Sequence, residues 1–414
     1  MKPLPKRVWI LGWISLFADV ASEMVYPIIP VFLNRVIMAP VIDLGAVEGF
    51  AEAIVSFMKG WSGWHSDQTG KRVPYIQIGY GLSALGKPII ALANAVGLVL
   101  AGRALDRFGK GIRTTSRDAL LADSVDKADY GRAYGLHRTM DTTGAFMGGV
   151  VLLALLATLV RKLPDLRLVF LIAIVPGALS VFFTFLLKDV PRDHEPVQKT
   201  NAKAKLSEMP KGYWRAVLVT LVFGLANSSD TFLILRANDV FKNSHPSFLG
   251  LFSETTAVEG ALIMTTLAYL LYNLTYVLFS YPAGKLSDHI GRWPIFGSGI
   301  LLYVLVYAGF AYFSSWAVWI LFAIYGIYNG LTDGVGKALV ADHSPKDARG
   351  TALGFFYMGA GSMTLVGNLI AGWLWDARGP SATFAFGAIV AGIAALMIPL
   401  TAKMETKART PVSS

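Results

Sequence analysis

The sequence predicts an all-α membrane protein of twelve transmembrane helices in two pseudo-symmetric six-helix bundles, and three observations carry that prediction. Hydrophobic residues make up 54% of the 414 and charged residues only 15%, against about a quarter charged in an ordinary soluble domain. Apolar runs long enough for a hydrocarbon core of roughly 30 Å recur along the whole chain, among them 76–100, 168–187, 295–316 and 382–400. The polar phrase GWHSDQTGKR at Gly63–Arg72 returns as GKLSDHIGRW at Gly284–Trp293.

In order, the candidate helices cover 8–34, 45–66, 74–95, 97–122, 131–159, 167–188, 212–236, 256–284, 293–311, 314–341, 348–375 and 380–402. The first follows a basic N-terminus, MKPLPKR, and its apolar stretch runs on without a small-residue cleavage site, so it reads as a span and not as a removed signal. Many candidates exceed about 20 residues, which allows tilt. Pro30, Pro88, Pro176, Pro282 and the frequent internal glycines suit helices that bend and pack closely in a membrane. The polar stretch Asp189–Pro210 divides six helices from six. This gives an N-terminal bundle 1–188, a linker 189–211, a C-terminal bundle 212–402 and a tail 403–414.

Lys and Arg number twenty in the segments that share a side with the termini and linker, and seven on the other side. The positive-inside rule therefore places both termini and the linker in the cytoplasm. The formal net charge of +10 is a consequence of this bias and calls for no nucleic-acid partner. Asp67 and Asp288 align at an offset of 221, while DALLAD at Asp118–Asp123 aligns with KALVAD at Lys337–Asp342, and Gly131 with Gly350, at 219. Two distant phrases repeating at nearly one spacing mark related halves.

Charges inside the spans demand an explanation, because one facing lipid at mid-depth costs from a few to more than about ten kcal/mol. Ten residues of helix reach about 15 Å, near the bilayer centre. Arg113, counted back from Asp123, and Asp141, counted forward from Gly131, lie at that depth. Asp19 and Glu23 sit one turn apart, halfway along the first helix. Lys59, Lys87, Arg103, Asp106, Arg107, Lys110, His137 and Arg138 add to the first half. Asn227, Asp230, Asn273, Tyr276, Asn329, Asp333 and Lys337 supply the second.

So many polar groups must pair with one another or line an aqueous cavity. Asp19, Glu23, Asp141, Asp230 and Asp333 are candidate proton carriers, since desolvation raises a carboxylate's proton affinity and a nearby cation lowers it, so small movements load and unload a proton. Asp19 and Glu23 are spaced to share one site. Lys59, Lys87, Arg103, Arg107, Lys110, His137, Asn227, Asn273, Tyr276, Asn329 and Lys337 are candidates for lining the solute cavity. His137, one turn before Asp141, is also placed to hold it by a hydrogen bond. Arg113, Arg117 and Asp118 lie near enough to the inner surface to act as clasps between the halves.

The phrase with Gly63, Asp67, Gly70, Lys71 and Arg72 resembles the signature between helices two and three of the major facilitator superfamily, and Gly284, Asp288, Gly291 and Arg292 resemble its second, weaker copy. The resemblance covers essentially the whole chain. It implies two six-helix domains around a central cavity that opens alternately to each side. It also implies a cytoplasmic gate in which Asp67 pairs with Arg117 or Arg113, although Gln68 stands where the family usually carries a basic residue. The family's helix-four arginine motif fits two registers, Arg107 with Gly111 or Arg103 with its distance to Asp123. The exporter motif expected in helix five is represented by Gly144, Gly148 and Gly149 without its proline.

Other classes of function find no support. With no Cys there is neither a disulfide nor a thiolate ligand. The six His lack the spacing of a zinc site, and no metal or other cofactor is expected. GRALDRFGKG lies within a candidate span and not after a strand, so it is no nucleotide-binding loop. No catalytic triad is visible, and an enzyme is not expected. The expectation is a monomeric multi-pass protein of the bacterial inner membrane whose partners are lipid, protons and a small solute. By resemblance to the proton-coupled drug exporters, that expectation is efflux of small amphiphilic compounds by antiport. Import or exchange of an anionic solute such as a carboxylate or siderophore, and an uncoupled facilitator or non-transporting receptor, are the alternatives.

The gate reading generates a first prediction. Asp67→Asn is expected to leave insertion intact and to shift the protein toward an inward-open state by weakening a cytoplasmic clasp, with Asp288→Asn doing less. Labelling rates of cysteines introduced at cytoplasmic positions in this Cys-free chain read the shift, and unchanged labelling together with wild-type transport would refute it.

Overall fold

The structure, a computed structural model, describes residues 3–126, 129–160, 162–190, 209–243, 257–313, 316–344 and 349–409. Helices dominate: Lys6–Glu23 (α1), Val41–Thr69 (α2), Val73–Ala91 (α3), Val96–Asp123 (α4), Tyr130–Thr158 (α5), Leu166–Ile172 (α6), Ile174–Thr184 (α7), Lys211–Ala226 (α8) and Asp230–Asn243 (α9) come first. Ala257–Ile290 (α10), Arg292–Tyr312 (α11), Ala317–Asp342 (α12), Arg349–Arg378 (α13) and Pro380–Arg409 (α14) follow, and no strand occurs among the described residues. Nine helical stretches among the described residues are long and apolar enough to cross a membrane. The segments of α2, α3 and α4 fall outside that count, and α4 alone carries eight charged residues.

Two of the expected spans are broken, each the first of its half. α1 stops after 18 residues at Glu23, and the chain continues through Tyr26–Val36 as short irregular helical turns. Pro27 and Pro30 remove two backbone donors there, so a regular ladder cannot continue. α8 stops after 16 residues at Ala226, and α9 begins at Asp230. Side chains satisfy backbone groups released at this second break: Tyr303 donates to Ala226 O at 2.6 Å, and Ser229 N donates to Asn368 Oδ1 at 2.8 Å. Irregular backbone at membrane depth persists only where such partners exist.

The chain forms two compact units, Met1–Gln198 with Ala237–Leu267, and Lys199–Arg236 with Ala268–Ser414. In the first unit α3 packs on α4, α1 on α5 and α7, and α3 on α7. The second unit repeats those pairings as α11 on α12, α8 on α13 and α14, and α11 on α14. The internal duplication read from two phrases is thus a duplication of packing.

Glycines set the closest approaches. A Cβ on Gly79 would lie 2.7 Å from Gly109 O, and one on Gly86 would lie 2.5 Å from Gly102 O, so α3 and α4 touch backbone to backbone. α5 meets α1 the same way at Gly144 and at Gly148, where a Cβ would stand 2.7 Å from Val20 O. Gly367, 219 residues after Gly148, plays the same part against Leu225 O at 2.5 Å. Gly144 and Gly148, two glycines of the proline-less helix-five series, therefore have a packing role. Small residues at helix crossings permit this intimacy in a membrane, where burial in lipid supplies no hydrophobic drive.

Gly148→Val is expected to cost about 1–3 kcal/mol, because the obstructing atom is backbone and cannot rotate away. Gly135→Val on the same helix, with nothing within 4 Å of its Cβ position, should stay within about 0.5 kcal/mol. Thermal unfolding of the purified variants decides between them.

Candidate functional site

The repeated polar phrase is a helix stop. Gly70 ends α2 at φ 64°, and Gly291 takes φ 99° before α11, a region that residues with a Cβ rarely adopt. In both copies a serine one residue before the Asp turns back onto the leading glycine, Ser66 Oγ donating to Gly63 O at 3.1 Å and Ser287 Oγ to Gly284 O at 2.7 Å. The arginine beyond the turn closes the loop, Arg72 Nη1 donating to Ser66 Oγ and Arg292 Nη1 to Ser287 Oγ at 2.6 Å. Asp189 Oδ1 accepts from the backbone N–H of Arg72 and Val73, at 2.8 and 3.0 Å, and so caps α3. Arg292 also donates to Asp342 at 3.2 Å, whereas Lys71 is exposed.

The side chains of Asp67, Asp288 and Lys337 lie outside the described residues, and with them the expected pairing of Asp67. Arg117 donates to Asp118 Oδ1 at 2.9 Å, and the Arg113 guanidinium lies over the Tyr80 ring, 4.0 Å from its centroid.

In the first unit the deep basic residues meet acids. Arg103, Arg107 and Lys110 recur along one face of α4, and Glu48 and Glu52 lie one turn apart on α2. Arg103 grips Glu48 with a two-pronged bond, Nε to Oε1 at 2.9 Å and Nη2 to Oε2 at 2.7 Å, and both side chains are almost fully buried. Asp106 stands between Lys87 at 3.9 Å and Arg103 at 3.7 Å, and Arg107 faces Glu52 at 3.9 Å. The Tyr26 ring, placed by the turns beyond α1, lies against both arginines at 5.7 and 6.0 Å. Lys59 is half-buried on α2, where its carbonyl accepts from Thr115 at 3.0 Å. Glu48 and Glu52 were passed over in the sequence, although two acids one helical turn apart in an apolar run were a signal of the kind that marked Asp19 and Glu23.

A second cluster joins α1, α4 and α5. Ser15 donates to Asp141 Oδ1 at 2.6 Å, Arg138 donates to Asp141 Oδ2 at 3.2 Å, and Arg117 reaches Ser15 at 3.4 Å. Asp19 of α1 faces Asp141 across the helix interface, with Lys110 and Arg113 acting on it from α4. Glu23 is half-buried, its Cβ beside Gly148. The bond that α5 itself makes to Asp141 comes from Arg138, while His137 is buried with Nε2 lacking a hydrogen-bond partner among the described residues.

The second unit is built from phenols and amides. Asp230, at the start of α9, accepts from Tyr325 at 2.7 Å and from Tyr272 at 3.3 Å. Asn329 donates to Tyr272 at 3.2 Å, Tyr276 donates to Asp333 at 2.9 Å, and Tyr328 donates to Asn227 at 3.2 Å. Asn273 donates to Tyr269 O one turn earlier, at 3.1 Å. Tyr272, Tyr303, Tyr307, Tyr325 and Tyr328 were not singled out in the sequence, because a buried tyrosine there looks like any core aromatic.

Duplicated packing of long apolar helices, with acids at the broken first helix of each half, defines a polytopic membrane transporter and not an enzyme. The sequence profile of the Major Facilitator Superfamily matches residues 11–253 and 246–413, and the chain belongs to that superfamily. It is 35% identical over 399 residues to an uncharacterised MFS-type transporter of Methanocaldococcus jannaschii, covering 96% of this chain and 95% of the other. It is 24% identical over 377 residues to an uncharacterised protein of Mycobacterium tuberculosis, covering 89% of this chain and 86% of that one. Among solved structures, a mutant of the nucleoside transporter NupG has the same fold, with TM-score 0.77, 15% identity, and coverage of 96% of this chain and 100% of that one. A bacterial homologue of the human lysosomal transporter Spinster superposes with TM-score 0.74 at 14% identity, covering 98% of each chain.

The buried fork generates a stability prediction. Glu48→Gln strands a buried guanidinium and is expected to cost about 3–5 kcal/mol. The double variant Glu48→Met with Arg103→Met, which removes both charges, should lose less. Thermal unfolding in detergent measures both, and a double variant less stable than the single one would contradict the assignment.

Proposed function

We propose that the protein is a proton-coupled secondary transporter that exchanges inward-moving protons for a small amphiphilic solute driven outward, and that it works in a bacterial inner membrane with both termini in the cytoplasm. The carboxyl pair Asp19–Asp141 carries this reading. Two carboxyl groups that face each other away from bulk water favour a single proton between them, so the pair is suited to hold one proton. Ser15 and Arg138 fix Asp141. Lys110 and Arg113 act on Asp19 from α4. A shift of α1 against α4 and α5 that parts the carboxyls and brings Asp19 to those cations releases the proton, and the reverse shift takes one up.

Lys110 and Arg113 favour one second reading, in which they hold an anionic solute such as a carboxylate or siderophore during import or exchange. The gradient separates the readings, since an antiported solute leaves against the proton flow and a symported one enters with it.

The test is a series of amide variants, Asp19→Asn, Glu23→Gln, Asp141→Asn, Asp230→Asn and Asp333→Asn, in proteoliposomes with an imposed pH gradient and amphiphilic fluorophores, ethidium among them, as trial solutes. Asp19→Asn and Asp141→Asn are expected to lose gradient-driven movement at least about tenfold while retaining solute binding and exchange. Full gradient-driven transport in all five would remove proton coupling through these carboxylates, whereas wild-type solute flux indifferent to the pH gradient would leave an uncoupled facilitator.

A further inference from the structure

The second unit presents a surface whose chemistry differs from that of the proton pair. Tyr276, Asn273, Asn329 and Asp230 are half-buried and Asp333 is exposed, while Tyr272, Tyr303, Tyr307, Tyr325 and Tyr328 stand behind them, buried. The rings pack on one another, Tyr272 parallel to Tyr276 within 5° at 6.3 Å and Tyr303 stacked on Tyr307 at 3.9 Å. Tyr272 also meets Tyr325 at 5.3 Å, and Tyr303 meets Tyr328 at 5.0 Å. The result is an aromatic wall with a carboxylate on either side of the Tyr272–Tyr276 pair.

The direction of the hydrogen bonds says what such a wall can hold. A phenol has a single hydrogen to give. Here Tyr325 and Tyr272 spend theirs on Asp230, Tyr276 on Asp333, Tyr328 on Asn227 and Tyr303 on Ala226 O. One amide hydrogen of Asn329 goes to Tyr272 and one of Asn273 to Tyr269 O. What the half-buried Tyr276 can turn toward a ligand is therefore acceptor oxygen and ring face, both electron-rich, with the buried phenols packed behind it.

We infer that this tyrosine wall, with Asp230 and Asp333, is the solute-recognition surface and that it takes a small organic ammonium ion: an N–H-bearing amine on an apolar or aromatic body. The ammonium group supplies donors and positive charge, and Asp230 or Asp333 accepts them. The ring faces attract the same charge through their quadrupoles, and the body lies against the apolar ring carbons. An anion would meet two carboxylates, and a neutral ring would lose the charge-assisted bond. The inference goes beyond the proposed proton coupling and names the class of solute for the same transporter. It selects export of a cation over the anionic reading.

The test holds the body constant and varies only the charged group. Purified full-length protein in nanodiscs, without any gradient, is titrated calorimetrically with 1-naphthylmethylamine, 1-naphthalenemethanol and 1-naphthoate. The amine is expected to bind about tenfold or more tighter than the other two. Tyr276→Leu, which removes a half-buried ring and its stacking on Tyr272 but leaves the five buried phenols in place, should weaken the amine about tenfold, while Tyr276→Phe, which keeps the ring face, should weaken it far less. Asp230→Asn should also weaken it, provided its unfolding temperature stays near wild type; Tyr276→Leu decides the matter if it does not. Naphthoate or the alcohol binding as tightly as the amine, no detectable amine binding, or amine affinity unmoved by Tyr276→Leu would each overturn the inference. Because no gradient is applied, none of these results bears on the Asp19–Asp141 pair, and loss of coupling in the amide series would not touch this one.

Discussion

A bilayer offers no water to a stranded charge, and that constraint organises the first unit. The cost of an unpaired charge at mid-depth exceeds what most side-chain contacts return. Arg103 answers it with both oxygens of Glu48, and Lys87, Asp106, Arg107 and Glu52 answer it with one another at longer range. Since the partners come from α2, α3 and α4, charge neutrality inside the membrane requires those three helices to hold one register. The polar interior is a constraint on packing before it is a site.

Close packing in turn makes those pairs reachable. α3 and α4 touch at Gly79 and Gly109 and again at Gly86 and Gly102. Side chains between and beside these two contacts are held within bonding range, so Ser83 reaches Asp106 O at 2.9 Å and Lys87 reaches the Asp106 carboxylate at 3.9 Å. A larger residue at either glycine would separate the backbones and lengthen both. The same logic joins α1 to α5, where Gly144 and Gly148 bring the chain carrying Ser15 and Asp19 up to Asp141. An acid pair facing across two helices depends on glycines that take no part in it.

The spans were legible because hydropathy and length are local properties, and so was the duplication, carried by phrases with fixed spacing. The glycines of the repeated turn announced themselves because Gly70 and Gly291 need a backbone few other residues adopt. Asp19 was found from its depth, but its partner was not: helical spacing pointed to Glu23 on the same helix, whereas the structure sets Asp19 against Asp141 on another. Likewise Arg103 and Arg107 were read as lining groups, since nothing in one sequence says that α2 will bring Glu48 and Glu52 to them. The breaks after Glu23 and Ala226 were missed because the sequence on either side stays apolar. Pro27 and Pro30 were a sequence signal for the first break, whereas the second is made tolerable by tertiary partners such as Asn368 at Ser229.

Duplication preserved the scaffold and not the lining. At the offset of 219 that relates Gly148 to Gly367, Arg103 of α4 corresponds to Phe322 of α12, Asp106 to Tyr325, Lys110 to Asn329 and Arg113 to Thr332. Positions that hold charges in one half hold a phenyl ring, a phenol, an amide and a hydroxyl in the other. The two linings have opposite electrostatic requirements. Ion pairs need mutual neutralisation and tolerate few substitutions singly, so they suit a group that must gain and lose one proton at a fixed place. Phenols and amides stay neutral, bond in many directions and offer flat faces, so they suit a solute whose shape varies more than its charge. One backbone plan, copied within a chain, can therefore carry an ion-paired lining in one half and a lining of phenols and amides in the other.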